Sequence, residues 1–161
     1  MKIGSIIVLC VAVILFIIFF IAIRIFNKLT LKKIGTEIAY IGMDDLFIKR
    51  YELLEEFFGL CENAAKASEE RENAINSKTA EERVEHDKKM AEALNNLLES
   101  ERSLKDGRGK ELCDELRDLD LQISQAYTKY NEAVAEYEAM RNKKIVKPVA
   151  KFFSFEEKPF F

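Results

Sequence analysis

From Ile3 to Ile23 the chain carries no charged side chain, and nearly every position is Ile, Val, Leu, Phe or Ala. No other feature narrows the fold as much. About 20 such residues at ~1.5 Å rise cross the ~30 Å hydrocarbon core of a bilayer as one helix. A lone segment in lipid has to satisfy its own backbone hydrogen bonds, which a helix does. The run therefore predicts a membrane-spanning helix within residues 1–26. A cleaved secretory signal needs a shorter apolar core and a small-x-small site, and Ile23-Arg24-Ile25-Phe26 supplies neither. The anchor is expected to stay. Cys10 follows Leu9, where a lipidation site wants a small residue, so it reads as a small apolar side chain in the span.

The flanks predict the orientation. Only Lys2 and the amino terminus precede the span, whereas Arg24, Lys28, Lys32 and Lys33 follow it, with no acid before Glu37. Positive charge near a span is retained on the cytoplasmic side. The bulk of the chain is thus expected to face the cytoplasm, with a stub of a few residues outside. Residues 27–33 form a basic collar, and its Lys28, Lys32 and Lys33, with Arg24 just before it, are the expected contacts to anionic headgroups.

All 28 acids lie at or beyond Glu37, together with 20 of the 25 bases. Such an acidic body is a poor nucleic-acid binder, since phosphate neutralisation needs clustered Lys and Arg. Cys61 and Cys113 form no CxxC pair, which fits buried thiols in a reducing compartment. Glycine and proline are few and isolated, so strands have little support.

Helical periodicity fills the body. Between Thr30 and Asn76 apolar positions recur at Ile34, Ile38, Ile41 and Ile48 with Asp45 intruding, then at Leu53, Leu54, Phe57, Phe58, Leu60, Cys61, Ala64 and Ala65. A break near Ile48–Glu52 is one reading; continuation of the membrane helix into the body is the other. Asn76-Ser77-Lys78 reads as a turn, and Thr79 with Glu82 three residues on reads as a capping box. The next helix runs to about Leu104 with Val84, Met90, Ala91, Leu94, Leu97, Leu98 and Leu104 inward. Lys105-Asp106-Gly107-Arg108-Gly109 is the clearest turn. The last long helix places Leu112, Leu116, Leu119, Ile123, Ala126, Tyr130, Ala133, Tyr137 and Met140 at alternating spacings of four and three, a coiled-coil-like heptad seam. Its two tyrosines are expected at the rim with their hydroxyls in water. Beyond Lys144 helix is expected to give way. The fold class is all-α: a transmembrane helix, then an up-and-down antiparallel bundle over residues 34–145, of three long helices or of four if the first is broken.

Residues 146–161 form a tail with Phe152, Phe153, Phe155, Phe160 and Phe161 in its last ten positions. Together with the Val146–Ala150 segment this ending resembles the LemA family. Tyr130-Asn131 through Ala135-Glu136-Tyr137 is similar to that family's repeated Tyr-Asn signature. Met43-Asp44 through Phe47, Lys49-Arg50-Tyr51-Glu52-Leu53 is similar to its basic-pair motif, and Leu112-Cys113-Asp114-Glu115-Leu116 fits its pattern. Departures are Glu55-Glu56 in place of a proline, Glu101-Arg102 in place of Tyr-Pro, Tyr127 in place of Arg, and Glu138 in place of the second Asn. The resemblance implies a membrane-anchored four-helix bundle, no catalytic residues, and a role in organising bacterial membranes.

Candidate chemistry is sparse. His86, the only histidine, has Glu82, Glu85 and Met90 nearby in sequence, but Arg83 breaks the Glu-x-x-His spacing of di-metal bundles, so a solvated histidine is expected and no metal. Lys49 and Arg50 beside Asp44, Asp45 and Glu52 read as a solvated face, with a buried ion network or a phosphate site as alternatives. The five tail phenylalanines either cap the bundle core or dock on the membrane or a partner. No phosphate loop, nucleophile elbow or paired-cysteine motif appears. The reading is a non-enzymatic scaffold without cofactors, tied to lipid by its N-terminal helix and to a protein partner or a second copy by its bundle. A ligand-responsive signal relay is the alternative and requires a cavity or a polar layer in the core.

Overall fold

The computed structural model describes residues 3–61, 64–100 and 107–161. These residues form α1 (Ile3–Phe58), α2 (Ala65–Ile75), α3 (Ala80–Ser100), α4 (Gly107–Arg141) and α5 (Lys147–Phe152). No strand occurs among them. α1 contains a stretch long and apolar enough to cross a membrane, none of it buried against other parts of the chain. Lys2, Leu104 and the Lys105-Asp106 start of the expected turn lie outside the described residues; Gly107–Gly109 already belong to α4.

α1 passes through Ile48–Glu52 without a break. The interruption comes later, where Leu60 and Cys61 N–H groups bond to Phe57 and Phe58 carbonyls at 3.0 and 3.2 Å. A Cβ on Gly59 would meet the Glu56 carbonyl oxygen at 3.3 Å, so the tight exit from the helix suits glycine. The bundle therefore has four helices rather than three. Chain contacts divide the molecule into two compact units, Ala39–Asn131 with Pro159–Phe161, and Met1–Ile38 with Glu132–Lys158.

In the larger unit, ion pairs fix the helix directions. Asp44 pairs with Arg83 and Arg50 with Asp87, so α1 and α3 run parallel. Glu56 pairs with Arg108 and Arg50 with Asp120, so α4 runs antiparallel to α1. Arg71 of α2 reaches back to the Tyr51 carbonyl (2.9 Å) and Glu55 (3.0 Å). The order is up-down-up-down. The α2–α3 turn uses the expected capping box: Thr79 Oγ1 accepts from Glu82 N–H at 3.2 Å, and Glu82 Oε2 accepts from the N–H groups of Lys78 and Thr79.

The core of this unit is heptad-like. Met43, Phe47, Leu54 and Phe57 of α1 meet Val84, Met90, Leu94 and Leu97 of α3 and Leu112, Leu116, Leu119, Ile123 and Ala126 of α4. Burial of each large apolar side chain contributes about 1.5–3 kcal/mol. Ala91 is half-buried, and the side chains of Leu98 and Leu104 lie outside the described ones. The buried face of α1 is not its isoleucine stripe. Ile34, Ile38, Ile41 and Ile48 are all exposed, because Met43, Phe47, Leu54 and Phe57 take the inward positions three and four residues apart, with Arg50 between them.

In the smaller unit Leu29, Tyr137, Val146 and Ala150 are buried, with Ile25, Met140 and Phe155 packed around them. Val134 is buried here and Ala133 is only half-buried. Helix does not simply end past Lys144, because α5 forms with Pro148 in its first turn, where the missing N–H is harmless. Ser154, at φ 54°, then closes α5: Phe155 N–H bonds to Ala150 O at 2.9 Å and Ser154 N–H to Lys151 O at 3.3 Å. This left-handed closure turns Phe155 inward while Phe152 and Phe153 remain outside.

Candidate functional site

Arg50 is the largest fully buried side chain of the molecule's described residues. The solvated-face reading of Lys49-Arg50 therefore fails for Arg50, because its place in the α1 seam directs it into the bundle. Its guanidinium pairs with Asp87 of α3 and with Asp120 of α4, the latter at 2.5 Å. It also lies 5.9 Å from the Phe47 ring centroid. Asp87 is itself buried and accepts the Tyr51 hydroxyl at 3.3 Å. Tyr127, half-buried, packs on Phe47 with ring centroids 6.0 Å apart. One layer of the bundle is thus charged and ties three helices together.

Burial works against the Arg50 charge, but Asp87 and Asp120 outweigh it and raise the guanidinium further. Burial pushes the Asp87 carboxyl above its usual range, although Arg50 and Tyr51 oppose the shift. The Tyr51 and Tyr127 hydroxyls are raised by burial and by the neighbouring Asp87 charge. All of this describes a buried ion network, a guanidinium answered by two carboxylates with Arg50 Nε left without a hydrogen-bond partner, and it offers no nucleophile poised beside a base.

Lys49 is exposed and lines a shallow groove with Glu52, Glu56, Glu115 and Asp118, surroundings that repel a phosphate. Asp44, expected beside the basic pair, pairs instead with Arg83. His86 is only partly solvated. Its Nδ1 lies 2.8 Å from Glu70 Oε2 of α2, and both side chains are largely covered. Among the described residues no three His, Cys, Asp or Glu side chains converge to hold a metal.

The tail phenylalanines divide. Phe161 stacks on Tyr130, with ring centroids 4.8 Å apart and planes at 12°, and its backbone N–H and C=O bond to the Asn131 amide at 2.9 and 2.7 Å. Phe155 packs against the smaller core, whereas Phe152, Phe153 and Phe160 are exposed. The two α4 tyrosines do not put their hydroxyls in water. Tyr130 donates to Pro159 O at 3.0 Å, and Tyr137 to Glu156 O at 2.7 Å, because the tail backbone needs donors where it leaves helix. Burial pushes the Tyr130 hydroxyl up to about 12. Glu138 accepts the Lys158 N–H at 3.0 Å, as Asn131 accepts that of Phe161 seven residues earlier. Two Tyr-x pairs on α4 thus each latch a piece of tail.

In the collar, Lys32 pairs with Glu136 and Lys33 with Glu37 at 3.8 Å, while Arg24 lies over the Phe20 ring and Lys28 carries no ion pair among the described residues. Sequence reasoning missed Asp87 and Asp120. The available signal was a charged residue at a seam position in α1 and another in α3, between Val84 and Met90.

No curated protein matches the chain significantly. A family model described as the LemA family matches residues 59–161, which takes in α2 to α5, the Tyr130-Asn131 latch and the tail; the Met43–Leu53 segment and the anchor precede the match. With well over half its length matched, the chain belongs to the LemA family.

Proposed function

We propose that this LemA-family protein is a non-enzymatic, single-span scaffold of a bacterial inner membrane, with its bundle on the cytoplasmic side. The observation that carries the reading is an exposed apolar stripe on α1. Leu31, Ile34, Ile38, Ile41 and Ile48 are 43 to 68% exposed and recur at heptad-compatible spacing. A stripe of this kind on a tethered helix is suited to pairing with another helix, and two copies anchored in one bilayer would meet in parallel. The basic residues after the span support the cytoplasmic placement.

The test is cysteine crosslinking in native membranes. Ile38→Cys should form a disulfide-linked dimer or capture a defined partner, and an exposed polar-face control, Lys129→Cys, should not. Recovery of monomer alone from both variants would overturn the scaffold reading. Digestion of the bundle by protease added to intact cells would overturn the cytoplasmic placement.

A signal relay is the second reading, and the Arg50–Asp87–Asp120 layer favours it. A charged layer shared by three helices resists sliding of one against another and releases it when its balance changes. Ligand-dependent shifts in melting, lost in Arg50→Met, are the expected mark of that reading.

A further inference from the structure

Six residues do not hold themselves helical in water. α5 is fixed because Val146 and Ala150 are buried with Leu29 and Tyr137. Other apolar side chains at and beside it stay open to the outside, although Phe153 packs on Phe26 of α1 with ring centroids 4.8 Å apart. Phe152 is 81% exposed, Phe153 46%, and Ile145, just before the helix, 77%. Beside them an open groove of about 510 Å³ runs between α5 and α1, lined by Phe19, Ile23 and Phe26 on one side and Pro148, Val149 and Phe152 on the other. Its lining is almost wholly apolar, and its size is that of a small-molecule site.

Two observations identify the occupant. First, Phe19 and Ile23 belong to the uncharged run, and Phe19 lies four residues, or ~6 Å, inside its end. An interfacial element buries its apolar face ~5–10 Å below the headgroups, so α5 sits at that depth. Second, the bases at this level are unspent. Arg24, Lys28, Lys143, Lys144, Lys147 and Lys151 carry no ion pair among the described residues, whereas Lys32 and Lys33 pair with Glu136 and Glu37. Positive charge there meets a lipid phosphate, and the groove below it meets an acyl chain.

The geometry points to α5 as a second membrane element, inserted at the interface, whose groove with α1 holds an acyl chain of an anionic phospholipid. The binding requires neither self-association nor a particular topology, so it stands or falls separately from the scaffold reading.

The chain contains no tryptophan, so Phe152→Trp supplies a single emitter. The full chain is reconstituted in vesicles of phosphatidylcholine and phosphatidylglycerol, with one lipid or the other brominated along its acyl chains. Emission should be quenched by brominated lipid and shielded from acrylamide. Brominated phosphatidylglycerol should be preferred by roughly fivefold or more, with the preference falling toward unity in Lys147→Glu/Lys151→Glu. Phe153→Trp serves as the emitter if circular dichroism shows Phe152→Trp to have lost helix. Acrylamide quenching with indifference to brominated lipid would overturn the insertion. Equal quenching by the two lipids would overturn the anionic site.

Discussion

The two units bury polar groups in different ways. In Ala39–Asn131 with Pro159–Phe161, a broad apolar core is interrupted by a charged layer shared by side chains of α1, α3 and α4, and only its short tail piece is held through backbone, by Tyr130 and Asn131. In Met1–Ile38 with Glu132–Lys158 the core gathers around Leu29, Tyr137, Val146 and Ala150, ion pairs such as Lys32–Glu136 and Arg141–Glu138 lie nearer the surface, and the buried Tyr137 bonds to backbone at Glu156 O, beside the bond from Lys158 N–H to Glu138. The contrast follows from what each holds. Long helices satisfy their own backbone, so their side chains are free to set register. A tail that leaves helix has unsatisfied backbone groups, and side chains must answer them.

The comparison breaks most readily at Arg50. Arg50→Met leaves Asp87 buried without its counter-charge and should cost about 3–5 kcal/mol, read as a lowered denaturation midpoint of the detergent-solubilised chain. Adding Asp87→Leu should recover most of that loss, since an apolar pair of similar size removes the stranded charge. If the single variant costs nothing, the charged layer holds no helix register.

The smaller unit should respond more weakly and more locally. Tyr137→Phe removes one hydrogen bond from Glu156 O and should cost about 1 kcal/mol. Hydrogen exchange should accelerate in the Glu156–Lys158 segment while the α3 amides remain protected. Uniform acceleration would erase the distinction between latch and core. Ser154→Gly should act in the opposite direction. A left-handed residue at φ 54° is strained with a Cβ, so glycine should stabilise the α5 exit by up to about 1 kcal/mol in melting experiments.

The smallest effect is a slope. Burial raises the folded-state pKa of Asp87 above its unfolded value, so the folded chain binds that proton more tightly. Between the two pKa values, stability falls as pH rises and is regained on acidification. Asp87→Asn lacks this relief and should therefore lose stability more steeply than the parent chain as pH falls toward 4. Parallel curves of stability against pH would show that Arg50 offsets the burial of Asp87.

Much of the architecture was legible in individual residues. Thr79 and Glu82 announced the start of α3, and Leu112 through Ala126 announced the α4 seam. The buried face of α1 was not legible, because Arg50 occupies a core position and the exposed isoleucines imitate a seam. Asp87 was obscured for the same reason, since a charge at an inward position reads as solvated until its partner is known. The choice between a break near Ile48–Glu52 and a continuous helix stayed open because Gly35, Gly42 and Gly59 all fall in one helical pattern, yet Gly35 and Gly42 have open space around them and Gly59 sits at the turn just past α1. The tyrosine hydroxyls were misread because the backbone they serve is distant in sequence.

The order of apolar and charged residues determined, by itself, that the chain has a helix apolar enough to cross a membrane and that the remainder packs as amphipathic helices. Those properties follow from solvent transfer and local periodicity, which each residue carries wherever it lies. Which α1 face is buried, where Arg50 finds its carboxylates and which phenylalanines turn inward were decided by the tertiary structure. Those outcomes depend on pairs of residues far apart in the chain, whose interaction exists only once the helices have met.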